Sequence, residues 1–159
     1  MGIGPSTKET SLHQFQDPLV DLLANDPDID FQGVIIVGTP QDNTLKHTVG
    51  KRAAVWLKAM RTNGAILTAD GWGNSDVDFV NTLEQIGSRD ISVVGLKFIG
   101  TQANFVVEND YIKHVLDINK SESGIETTVV GENAIDNTDG RKALAALKLK
   151  MRKDNQLAK

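Results

Sequence analysis

The chain has 159 residues, of which 40% are apolar and 24% charged, with a net charge of −4 and no cysteine. That composition suits a single domain able to bury its own core, and it excludes disulfides, thiolate metal sites, a cysteine nucleophile and thiol redox chemistry from this chain's residues. No run approaches the ~20 apolar residues of a membrane helix, and Met1-Gly2-Ile3-Gly4-Pro5-Ser6 has no basic stretch followed by an apolar one, so the expected place is the cytoplasm, without membrane contact.

The charge is unevenly spread. From Arg141 onward there are seven basic residues against the single acid Asp154, which leaves ten bases and 20 acids in the first 140 residues. An acidic body argues against a general nucleic-acid binder.

Residues 1–32 read as an N-terminal arm, a Gly/Pro/Ser/Thr-rich lead followed by Phe15, Leu19, Leu22 and Leu23 at helical spacing. Pro18 suits the first turn of a helix starting at Asp17, and Asp26-Pro27 ends it, because the residue before a proline leaves the helical region. Gly33-Val34-Ile35-Ile36-Val37-Gly38 is continuous and β-branched, which predicts a first parallel strand buried on both faces. It runs into Thr39-Pro40-Gln41-Asp42-Asn43-Thr44, with Asn43 or Thr44 as cap of an amphipathic helix that carries Leu45, Val49, Ala53, Val55, Trp56, Leu57 and Met60.

Arg61-Thr62-Asn63-Gly64 closes that helix with a glycine and leads to a second strand over 65–68. Asp70-Gly71-Trp72-Gly73-Asn74-Ser75-Asp76 then turns the chain into a helix capped by Asn74 or Ser75 and marked by Val77, Phe79, Val80, Leu83 and Ile86. Asp76 and Asp78 fall in its first turn, two apart and so on different sides; they read as caps at the positive end of the helix dipole more than as a catalytic pair. A third strand is predicted over 92–98. Residues 102–107 read as a helical turn or another strand, 111–118 fit either period poorly, 126–130 reads as a short strand, and 139–159 as a basic C-terminal helix capped by Thr138 or Asp139.

Strands alternating with helices predict one α/β domain over 1–159, a three-layer sandwich on a mainly parallel sheet of the Rossmann or flavodoxin kind. Ligands of such sheets bind beyond the carboxyl ends of the strands. The expected cleft therefore gathers Thr39, Asp42 and Asn43 from the first loop, Asp70, Trp72, Asn74, Ser75 and Asp76 from the second, and Thr101 and Gln102 from the third. The dinucleotide glycine fingerprint and the P-loop lysine pattern are missing, and His13, His47 and His114 have no metal-ligand spacing, so no nucleotide cofactor or metal is expected.

Through Gly2-Ile3-Gly4-Pro5-Ser6-Thr7-Lys8-Glu9-Thr10, Val37-Gly38-Thr39-Pro40-Gln41-Asp42-Asn43, Gly71-Trp72-Gly73-Asn74-Ser75-Asp76-Val77-Asp78-Phe79, Gly100-Thr101-Gln102 and Val129-Val130-Gly131-Glu132-Asn133, the chain resembles the D-proline reductase family, related to glycine reductase. In length it is similar to the short cysteine-free companion protein of the proline reductase cluster, itself similar to part of the pyruvoyl-bearing precursor. The resemblance implies reductive ring opening of D-proline to 5-aminovalerate, a reaction of amino-acid (Stickland) fermentation, by a cysteine-derived pyruvoyl group and a partner's selenocysteine. This chain has neither residue. No catalytic residue is therefore assigned, and the expectation is a non-catalytic member that assembles or regulates the reductase in contact with its pyruvoyl-bearing and selenocysteine-bearing subunits, or with further copies of itself. The alternatives are a stand-alone proline-binding sensor and an enzyme that uses the Gly-Trp-Gly-Asn cleft.

Overall fold

The computed structural model describes residues 18–69, 74–101, 105, 107–125 and 135–155. In chain order the elements are α1 (Pro18–Ala24), α2 (Asn43–Ala59), β1 (Gly64–Thr68), α3 (Asn74–Gly87), β2 (Ser92–Lys97), β3 (Val115–Asp117) and α4 (Asn137–Lys153), with one 3₁₀ turn at Ile112–His114. The predicted strand over 126–130 lies outside the described residues.

The strands form one parallel sheet in the order β1-β2-β3, with Gly64 opposite Ser92 and Gly95 opposite Val115. All six residues of β2 are buried. Their alternation decides what they touch: Val93 joins a cluster with Phe79, Val80, Leu83 and Ile86 of α3, whereas Val94 meets Leu147 and Met151 of α4, and Leu96 meets Ala143 and Leu19. Helices thus cover both faces, α3 on one and α4 with α1 on the other, as an α/β sandwich requires. At Gly95 a Cβ would come within 2.7 Å of the Phe79 ring, so the missing side chain lets α3 lie flat on the sheet.

The helix boundaries follow local chemistry, with shifts from expectation at the caps. Asp42 takes the N-cap of α2 and accepts the Leu45 N–H at 3.0 Å, so Asn43 is already helical. Asp136 caps α4 in a reciprocal box with Asp139, two or three residues ahead of the expected cap. Asn74 is the first residue of α3 rather than its cap. At the end of α2, Arg61 with φ 59° takes the left-handed position and the Thr62 N–H reaches the Leu57 carbonyl, leaving Gly64 free to open β1.

One predicted element is absent. Residues 33–38 form no strand, and Val34 and Ile36 are 57% and 60% exposed. Gly33 sits at φ +130°, a setting that breaks extended pairing, and among the described residues β1 pairs with β2 alone. An apolar run becomes a strand only where an edge accepts it, and composition carries no information about that edge.

The basic terminal helix is tied to the chain's beginning. Lys148 of α4 bridges Asp26 at 2.7 Å and Asp28 at 2.8 Å, just past α1, and Lys150 pairs with Asp154. No helix among the described residues is long and apolar enough to cross a membrane.

Asp26, Asp136 and Asp154 sit below the usual carboxylate range. The Lys148 ammonium lowers Asp26, and the Asp139 backbone N–H leads in lowering Asp136. A group whose folded value is depressed contributes stability above its unfolded value and loses it as the pH falls through the folded one. The urea midpoint should therefore fall as the pH is taken from ~6 to ~3, and Asp26→Asn should flatten part of that slope, by a small amount because the pair is near the surface. A slope unchanged in Asp26→Asn would remove the Lys148 clamp from the account.

Candidate functional site

The start of α3 holds two carboxylates that have left water, Asp76 in the first turn and Asp78 just after it. Asp76 is 1% and Asp78 7% exposed. At positions two apart on a helix they project to different sides, as the spacing requires, and each finds a lysine buried to 1% exposure. Asp76 meets the Lys97 ammonium at 2.8 Å, at the carboxyl end of β2. Asp78 pairs with Lys46 from the first turn of α2. Beside the second pair His47 Nδ1 lies 2.9 Å from Asn81 Oδ1.

Burying an ion costs several kcal/mol, which only a close partner recovers, so both pairs fix geometry rather than add net stability. Sequence reasoning expected these two aspartates as caps. Asp76 alone lies in the first turn, where the helix dipole favours it, with Asp78 just beyond, and the two carboxylates act as the anchors of Lys97 and Lys46.

Aromatic rings surround the first pair. The Lys97 ammonium is 5.6 Å from the centroid of the Phe79 ring, close enough for cation–π attraction, and Phe79 stacks on Phe105 at 6.2 Å with the planes 5° apart. Asp76, Lys97, Phe98, Ile99 and Phe105 line a narrow crevice here that is closed even to a water molecule. It lies at the carboxyl end of β2, where an open parallel sheet places ligands, and its carboxylate and ammonium are paired with each other.

The expected site residues divide as follows. Asn74 donates to Gln41 Oε1 at 2.9 Å, which joins the loop before α2, with Thr39, Asp42 and Asn43 all exposed, to the start of α3. Ser75 is half-buried in the same turn, and Asp76 faces the end of β2. Thr101 turns elsewhere: its hydroxyl donates to the Gly124 carbonyl at 3.0 Å, so it serves the 121–124 loop. Asp70, Trp72 and Gln102 lie outside the described residues.

Lys46, Lys97, Phe79 and Phe105 were not singled out from sequence. Lys97 did carry a signal as the one charge in the otherwise uncharged run 91–98, which a strand buried on both faces tolerates only if a counter-charge waits there. Lys46 carried a weaker one, since Gly50, Ala53 and Ala54 on its face are small enough for a neighbouring helix to approach and cover it. At Gly50 a Cβ would lie 2.9 Å from the Thr82 hydroxyl of α3.

Residues 2–104 match the family of glycine/sarcosine/betaine reductase component B subunits. The chain is also 42% identical over 146 residues, 92% of its length, to the D-proline reductase proprotein PrdA of Acetoanaerobium sticklandii. The matched stretch is 23% of that protein, so the chain spans about a quarter of the curated relative's length. No solved structure matches the chain.

The two classes of ion pair make a direct comparison. Lys46→Met strands the buried Asp78 carboxylate and should cost about 3 kcal/mol or more in urea unfolding. Lys58→Met removes an ammonium 3.9 Å from the exposed Asp90 and should stay within about 0.5 kcal/mol. Equal effects of the two substitutions would show that the buried pair does not hold α2 to α3.

Proposed function

The chain belongs to the family of glycine/sarcosine/betaine reductase component B subunits, and on that premise we propose that it acts in a D-proline reductase system as a non-catalytic component that assembles or regulates the reductase. The observation that carries this reading is a pairing of likeness and loss. Nine-tenths of the chain aligns with a quarter of the proprotein, and the chain has no cysteine.

Reductive ring opening of D-proline to 5-aminovalerate breaks a bond from carbon to nitrogen and consumes two electrons. A nucleophile must attack the carbon, and an electron-withdrawing group must hold the amine. A cysteine-derived pyruvoyl group does not fit this chain, because no residue can be its source, and no thiolate is available as nucleophile. The carboxylates and ammoniums at the candidate site are engaged with each other, Asp76 with Lys97 and Asp78 with Lys46. They position backbone and exclude water. They supply neither an electrophilic carbonyl nor a source of electrons.

A second reading draws on the crevice itself. A carboxylate and an ammonium side by side, with Phe98 and Phe105 as walls, complement the charged ends and apolar ring of an amino acid such as proline, so the chain would act as a stand-alone amino-acid binding protein. This reading requires the Asp76–Lys97 pair to open and the closed crevice to widen to ligand size, and it ranks second for that reason.

The purified chain should reduce no D-proline with a dithiol, and it should co-elute with D-proline reductase in gel filtration. Turnover by the pure chain would overturn the non-catalytic reading. No complex, together with a melting temperature raised by D- or L-proline, would favour the binding protein instead.

A further inference from the structure

Helix α2 is inverted. The face it turns toward α3 is built from Lys46, Gly50, Ala53 and Ala54, all buried, while Leu45, Val55, Trp56 and Met60 are exposed, Trp56 to 67%. On a helix with 3.6 residues per turn, Leu45, Val49, Arg52, Trp56 and Met60 fall along one stripe, with the exposed Arg52 at its middle. A surface helix ordinarily buries its large apolar residues and leaves the small and charged ones outside.

The run that failed to become a strand adjoins this stripe. Gln32 donates to the Met60 carbonyl at 3.4 Å and accepts from the Thr62 hydroxyl at 2.8 Å, so the run 33–38 leaves from the end of α2. It returns to the beginning of α2 at Asp42. Val34 and Ile36 lie between these two anchor points and are themselves exposed, and scattered single exposed residues do not explain so many exposed apolar side chains in one stretch of chain.

Charge narrows what can cover it. Between Gly33 and Asn63 the one acid is Asp42, which is occupied as a helix cap, against Lys46, Lys51, Arg52, Lys58 and Arg61. Lys46 is spent on Asp78, but Lys51, Arg52 and Arg61 are exposed. A second copy laid face to face on the same surface would bring these cations together, which disfavours a symmetric dimer. Trp, Met and Arg are the residues enriched where protein interfaces concentrate their energy.

We infer that the face formed by Val34, Ile36, Leu45, Arg52, Trp56 and Met60 is a protein-docking surface, and that its occupant is an apolar surface with acidic residues on a D-proline reductase chain. The inference rests on the reading above. In the proprotein the matched stretch belongs to a chain about four times as long, so polypeptide is at hand to cover the equivalent face within one molecule. The basic C-terminal helix is the weaker candidate for the contact, because its Lys148 and Lys150 are already paired with Asp26, Asp28 and Asp154.

The test measures binding of D-proline reductase purified from Acetoanaerobium sticklandii to the full chain and to Trp56→Ala, Arg52→Glu and, as a control on α4, Leu149→Ala. Trp56 and Arg52 are exposed, so both variants should fold, which circular dichroism and the melting temperature verify. Each should weaken binding at least 10-fold, Arg52→Glu should also flatten the dependence of affinity on salt, and Leu149→Ala should bind as the unmodified chain does. If the unmodified chain binds and both α2 variants bind equally well, the docking surface is wrong and the reductase reading stands. Absence of binding by the unmodified chain would overturn both. Self-association that Trp56→Ala abolishes would assign the face to a second copy and contradict the proposed occupant.

Discussion

A charge taken out of water must meet its counter-charge at close range, and this protein imposes that requirement twice within one helical turn. Asp76 reaches Lys97 on the sheet, and Asp78 reaches Lys46 on α2. The two aspartates are two residues apart, so satisfying both fixes the rotation of α3 about its own axis. The same turn thereby joins the sheet, α3 and α2. Apolar packing alone would tolerate small rotations of α3 that the ion pairs do not.

The rest of the architecture builds outward from that junction. Glycine at position 95 admits Phe79 to the sheet, and Gly50 admits α2 to α3. Close approach at Gly50 is what covers Lys46, and it also explains why α2 turns small residues inward. Its large residues then have nowhere to go but the surface, together with the run 33–38. The inverted helix and the buried lysine are thus two consequences of one packing choice. For a family member that spans a quarter of its longer relative, an uncovered apolar face is the feature expected of a piece that works against other polypeptide.

Helices and the central strand could be read from the sequence because their signals are local. Leu83 and Ile86, or Leu144, Leu147 and Met151, repeat at helical spacing and are buried where the spacing puts them. The run over 92–97 is buried on both faces and lies in the middle of the sheet. Residues 33–38 have the same composition and a different fate, since strand pairing depends on distant partners that no local pattern specifies. The candidate site was half legible for the same reason. Its position at the start of α3 followed from the strand, turn and helix order, and the divergence of Asp76 and Asp78 followed from helical geometry. The identities of Lys97 and Lys46 as their partners are tertiary facts, 21 and 32 residues away in sequence. Counting charge on the terminal helix overstates its unpaired cations for the same reason, because Lys148 spends its charge on Asp26 and Asp28.

The measurement closest to the centre of this account is a double-substitution cycle on Asp76 and Lys97, read by urea unfolding of Asp76→Leu, Lys97→Met and the two combined. Each single change strands one buried charge and should cost about 3–5 kcal/mol, whereas the double variant strands none and should recover much of that loss, giving a coupling of at least ~2 kcal/mol. Additive effects, with the double variant as unstable as the sum of the singles, would show that the first turn of α3 is not held by its buried ion pairs.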